Sequence, residues 1–147
     1  MTMPTKVTNI FLATQETITP MTLPLFTTSV SAGFPSPADD YIEDLLDLNS
    51  HLITNPPATF LVRVSGDSMI NAGIHTNDIL IVDRSLTPKH NDIVIAILDG
   101  EMTVKRIALD NEQVVLVPEN DHYKPQQITE EMDFEIWGVV KHVVHSF

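Results

Sequence analysis

A chain of 147 residues with 43% hydrophobic side chains is long enough for one domain with a substantial core and too short for a second large one. With 20 Asp and Glu against 8 Lys and Arg, its formal net charge of -12 works against attraction to phosphates and argues against direct DNA binding. The lack of cysteine excludes disulfides, a thiolate nucleophile and a cysteine-based metal site.

Residues 1–32 differ in kind from the rest of the chain. They hold nine Thr, Pro at positions 4, 20 and 24, and only two charged side chains, Lys6 and Glu16. Thr and Pro disfavour a helix, so this stretch reads as an extended arm whose apolar pieces "IFLA" and "LPLF" are suited to docking as strands. The N-terminus lacks the basic and continuous apolar regions of a signal peptide, and no apolar run reaches membrane-spanning length. The expectation is a cytoplasmic protein without membrane contact.

Ser36-Pro37 predicts a helix start, Ser as cap and Pro at the first helical position. The acidic residues Asp39, Asp40, Glu43 and Asp44 suit the positive end of a helix dipole. Tyr41, Ile42, Leu45, Leu46, Leu48 and Leu52 recur at helical spacing, and "NPP" at 55–57 ends the pattern, predicting one amphipathic helix of roughly four turns.

Beyond Pro57 the chain reads as β. Runs rich in Val and Ile at 59–64, 78–83, 92–98, 102–109, 113–118 and 135–144 are each bounded by Gly, Pro, Asn or Asp. Hairpin turns are predicted around Asp99-Gly100 and Asp110-Asn111. The fold class expected is mainly β: a compact barrel or assembly of twisted antiparallel sheets, with one helix on its N-terminal side and an extended arm before it.

Two side chains stand out chemically. Ser68, in "VSGDSMI", follows a strand and a Gly turn; such a Ser is also common in ordinary turns, and the flanking residues do not make a G-x-S-x-G elbow. Lys105, in "MTVKRIALD", shares a strand face with Thr103 and Ile107, opposite Val104. It either reaches past Ile107 to water, which its own neighbours favour, or ends in a dry site where its charge is disfavoured. The neighbouring Asp67 is expected to serve the turn. The six His residues show no metal-binding spacing, so no metal or other cofactor is expected.

Together these residues carry a resemblance. "AGFPSPADDY", "GDSM", "VDRSLTP", "TVKR", "PEN" and "EIWGVV", spread over residues 29–147, are similar to the LexA-like Ser/Lys self-cleaving proteins, and most of all to UmuD-type subunits of error-prone DNA polymerases. The resemblance implies Ser68 as nucleophile, Lys105 as general base and cleavage between Ala32 and Gly33. It divides the chain into a cleavable arm, 1–32, and a LexA-like peptidase and dimerisation domain, 33–147. Val30 and Ser31 would lie in the substrate strand, and the Ser68 N–H is the natural oxyanion donor. The partners implied are a second copy of the chain, a RecA–DNA filament that stimulates cleavage in the SOS response, and a UmuC-like Y-family polymerase for translesion synthesis.

The chemistry accords with that assignment, since a neutral Lys can take the proton of an attacking Ser where no His/Asp pair is in place. Small residues at 32 and 33 let backbone lie close to the nucleophile. Two other readings compete: a binding and dimerisation protein on the same scaffold with Ser68 and Lys105 inert, and a signal-peptidase-like enzyme, which the lack of a membrane anchor disfavours.

Overall fold

The computed structural model describes residues 3–12, 20–26 and 42–147. They belong to two compact units, one built from Met1–Thr14 and Asn55–Phe147, the other from Gln15–Thr54.

The larger unit is antiparallel throughout. Its strands are β1 (Lys6–Leu12), β4 (Thr59–Ser65), β5 (Ile79–Asp83), β6 (Ile93–Leu98), β7 (Glu101–Asp110), β8 (Gln113–Val117), β9 (Gln126–Gln127) and β10 (Phe134–Val144). They run in the order β1-β4-β5-β10-β6-β7-β8-β9, and β1 also pairs with β7 through Lys6 and Thr103. That last pairing closes β1, β4, β5, β10, β6 and β7 into a six-stranded barrel, with β8 and β9 extending from it. The six Val- and Ile-rich runs all form strands, within a residue or so of the expected limits. The first three residues of the arm piece "IFLA" form the end of β1, so the arm docks as anticipated and completes the barrel wall.

Alternation along the strands sorts the side chains into two cores. Val62 and Val64 of β4, Leu80 and Val82 of β5, Ile95 of β6 and Val104 of β7 meet Met69 and Ile74 in one buried cluster. Val94, Ala96, Ile107, Leu116 and Val139 form a second. Strand β6 feeds both, Ile95 into the first and its neighbours Val94 and Ala96 into the second, which is why "IVIAIL" is an unbroken apolar run.

The hairpin between β6 and β7 turns on Asp99 and Gly100, both with positive φ, as expected. In the next hairpin the positive-φ pair is Asn111 and Glu112, one residue beyond the predicted centre.

In the smaller unit, β2 (Thr22–Phe26), which contains "LPLF", pairs antiparallel with β3 (Ile42–Asp47), and the helix α1 (Leu48–Leu52) comes next. The predicted four-turn helix is therefore corrected over its described part. Residues 42–47 are a strand, and the helix is a five-residue turn capped by Asp47, whose carboxylate accepts from the Asn49 N–H at 3.3 Å and the Ser50 hydroxyl at 2.8 Å. Asp prefers a cap to a helix interior, and pairing with a distant strand overrides weak local helix propensity. The start expected at Ser36-Pro37 lies outside the described residues, as do Val30, Ser31, Ala32 and Gly33.

Candidate functional site

Strand β4 ends at Ser65, and the chain turns at Gly66, whose φ of 105° belongs to glycine. The tight turn lets Ser68 point back into the barrel wall, where it is fully buried. Two backbone bonds and one side chain from the "PEN" stretch brace this turn. The Glu119 N–H donates to the Ser68 carbonyl at 2.8 Å, the Asn71 N–H donates to the Glu119 carbonyl at 2.9 Å, and Asn120 Nδ2 donates to the Asp67 carbonyl at 2.8 Å. Glu119 is itself paired with Arg106 of β7, fixing the "PEN" segment to the strand that carries Lys105.

Lys105 reaches Ser68 from across the barrel wall, its Nζ 3.0 Å from Oγ. The same nitrogen donates to Thr103 Oγ1 at 2.8 Å and to the Val104 carbonyl at 3.0 Å. Lys105 does not reach past Ile107 to water, as its own neighbours favoured; it is half-buried and ends on Ser68. Across the β6–β7 ladder its partner is Val94, and on its own face lies Ile107, both fully buried. Desolvation there brings the Lys105 pKa from 10.5 down to about 8, with the positive charge of Lys6 adding to the effect. A cleft of about 260 Å³ opens beside Lys105 and Thr103, with Leu98, Leu116 and Tyr123 among its walls and Pro4 and Lys6 of the arm at its side.

Asp67 serves the turn, as expected. Its carboxylate accepts from the Tyr123 hydroxyl at 2.5 Å and from the Met3 N–H at 3.2 Å. The Tyr123 bond, chiefly, holds its carboxyl below the usual range. Nothing in the sequence singles out Tyr123, Asn120 or Thr103. "PEN" stands out only as part of a resemblance, and its position at 118–120 gives no hint that it braces a turn some fifty residues earlier.

The six His residues offer no metal spacing in the sequence, yet the fold gathers His75, Asp78 and His145, with one ligand-type atom from each within 4.8 Å of the others. Both oxygens of the buried Asp78 carboxylate are engaged. One accepts from the His75 N–H at 2.8 Å and the other meets His145 Nδ1 at 2.5 Å. The cluster ties the residue after β10 to the turn before β5.

The family model described as Peptidase S24-like matches residues 24–141. Protein ImpA of Escherichia coli is 50% identical over 122 residues, covering 83% of each chain. Protein SamA of Salmonella typhimurium is 49% identical over 125 residues, 85% of this chain and 86% of its own, and Protein MucA of Escherichia coli 43% identical over 121 residues, 82% of each. Among the described residues no helix is long and apolar enough to cross a membrane. With a family model over most of its length and relatives of this identity across their own, the chain belongs to the Peptidase S24-like family.

Proposed function

We propose that this chain is a self-cleaving serine peptidase that cuts its own Ala32–Gly33 bond with Ser68 as nucleophile and Lys105 as general base. The observation that carries the reading is the 3.0 Å approach of Lys105 Nζ to Ser68 Oγ in a site that lowers the lysine pKa to about 8. An unperturbed lysine would cost about 4.6 kcal/mol to deprotonate at pH 7. With a pKa of about 8 the cost falls to about 1.4 kcal/mol.

In the reaction, the neutral amine takes the Ser68 proton as Oγ bonds to the Ala32 carbonyl carbon. The resulting ammonium gives that proton to the Gly33 nitrogen as the peptide bond breaks, leaving an ester between Ala32 and Ser68. Water, deprotonated by the same amine, then cleaves the ester and restores the hydroxyl. The Ser68 N–H suits the developing oxyanion, since the Gly66 turn leads directly into it and it takes no partner among the described residues.

The biological setting comes from similarity to UmuD-type proteins. Residues 1–32 are the part removed, on stimulation by a RecA–DNA filament in the SOS response. Residues 33–147 then act as a homodimeric accessory subunit of a UmuC-like Y-family polymerase in translesion synthesis, in the cytoplasm and without direct DNA contact.

The test is to incubate the purified chain from pH 7 to pH 10 and weigh the fragments. We expect a cut between Ala32 and Gly33 whose rate climbs about tenfold per pH unit below pH 8 and levels off above it, as Lys105 loses its proton. Ser68→Ala and Lys105→Ala should both abolish it. A chain that stays intact throughout, with RecA–DNA filaments also added, would leave a binding protein with an inert dyad.

A further inference from the structure

The arm occupies the site as well as closing the barrel. Strand β1 begins at Lys6, which lies between Ser65 of β4 and Thr103 of β7, and the residues before it continue into the dyad. The Met3 carbonyl accepts from the Asp67 N–H at 2.7 Å. The Thr5 carbonyl accepts from the Val104 N–H and from the Thr103 hydroxyl, each at 3.1 Å. The Thr5 N–H donates to Ser68 Oγ at 2.8 Å. Thr5 and Ser68 are both fully buried, each covered in part by the other's segment.

This is how a peptidase holds an extended substrate, by main-chain bonds to flanking strands, but the peptide unit at the nucleophile is seated wrongly for reaction. Attack requires Oγ above the plane of a carbonyl carbon. A bond from the Thr5 N–H instead places Oγ in the plane of the Pro4–Thr5 amide, at its nitrogen edge. The hydroxyl oxygen also accepts from Lys105, so both of its lone pairs are engaged. The turn is shaped to this occupant as well, since a Cβ on Gly66 would lie 2.1 Å from the Pro4 carbonyl oxygen.

We propose that residues 3–6 are a self-inhibitory strand that fills the substrate slot of the Ser68–Lys105 dyad, so that the segment around Ala32–Gly33 reaches Ser68 only once β1 has left. The proposal rests on the reading of Ser68 as the nucleophile. One chain then holds two occupants for one slot, an unreactive one at residues 3–6 and a reactive one at residues 30–33, and the rate of cutting is set by their exchange.

The strand also carries a built-in weakness. Among the described residues Thr5 Oγ1, itself buried, has no hydrogen-bond partner, a cost borne only while the strand is docked. Lys6 brings a second positive charge toward Lys105, offset by an exposed ion pair with Glu101 at 2.9 Å. Both features favour a strand that holds the site and can still be displaced.

The test joins hydrogen exchange with cutting rates. In the full chain carrying Lys105→Ala, which blocks cutting and keeps Ser68 Oγ as the acceptor of the Thr5 N–H, the Thr5 amide and the β1 amides that face β4 should be protected; exchange of Thr5 at the rate of an unstructured peptide overturns the proposal. At pH 9, Thr5→Arg, which forces a charge into the slot, and a deletion of residues 2–5 should each cut Ala32–Gly33 at least about tenfold faster than the parent. Thr5→Val, which keeps the shape and removes the unpaired hydroxyl, should cut about fivefold slower. Melting curves of all variants identify any that fail to fold, and the opposite signs of Thr5→Arg and Thr5→Val guard against a nonspecific loosening. Equal rates in parent, Thr5→Arg and deletion overturn the inhibitory role while leaving self-cleavage intact. No cut in any variant, with Thr5 still protected, overturns self-cleavage and the inhibition that depends on it, leaving β1 as a closing strand only.

Discussion

Burying an ammonium costs folding free energy, and at Lys105 desolvation is the main reason its pKa falls from 10.5 to about 8. Because the folded value lies below the unfolded one, the folded chain bears the whole cost below pH 8. The cost fades between pH 8 and 10.5, where only the unfolded chain still holds the proton. Lys105→Met, similar in length and apolar, should therefore be more stable than the parent by about 1–3 kcal/mol at pH 7. The gap should close by about pH 10.5, and melting curves at the two pH values check it. A variant no more stable at pH 7 would mean that the three hydrogen bonds of Nζ repay the burial in full. Much of this site was legible in the sequence, since a Lys on the same strand face as Ile107 must be either extended to water or dry. What the sequence withheld was the choice between the two, because Val94 and Leu116, which help to dry the site, come from other strands. The bracing by Asn120 and Tyr123 was hidden for the same reason, each bond joining residues more than fifty positions apart.

At the level of elements, legibility depends on how local the deciding interaction is. The strands after Pro57 declare themselves by β-branched runs between turn residues, and two-sided burial of β6 shows as "IVIAIL". Strand β3 did not declare itself, because its partner β2 lies some twenty residues away and its apolar spacing fits a helix as well as a strand. The hairpin between β7 and β8 was legible, but its register was one residue off, since Glu112 occupies a positive-φ position where Gly or Asn was the expectation. Its φ of 70° is costly for a residue with a long side chain. Glu112→Gly should relieve about 0.5–1 kcal/mol and raise the melting temperature by about 1–3 °C, with no change in the cutting rate. A lower melting temperature would show that the lost side chain, or the added freedom of the unfolded chain, outweighs the strain.

For the whole molecule the notable fact is that the barrel is closed by its own N-terminal arm. Of its six walls, five are formed by residues 59–144 and the sixth by Lys6–Leu12, which bonds along β4 and touches β7. If the chain cuts itself at Ala32–Gly33, β1 becomes part of a separate peptide, held by strand pairing alone and free to dissociate at low concentration. Its loss would uncover the edges of β4 and β7, and unpaired strand edges invite another strand to add. Self-cleavage would then do more than shorten the protein; it would exchange a closed barrel for an open one with a vacant edge beside Ser68. The exposed side chains of β1, among them Ile10, Phe11 and Leu12, show that the strand is held more by its backbone than by burial of its apolar surface, which favours release. Hydrogen exchange monitored through the cutting reaction tests this. The β4 amides that face β1 should be protected in the intact Ser68→Ala chain and should lose protection by a factor of about ten or more once the parent has been cut and diluted. Amides shared between β4 and β5, on the far side of the same strand, should keep their protection, which separates the opening of one edge from general unfolding. Unchanged exchange along both edges of β4 after complete cutting would mean that the released arm stays in place and that the cut leaves the barrel closed.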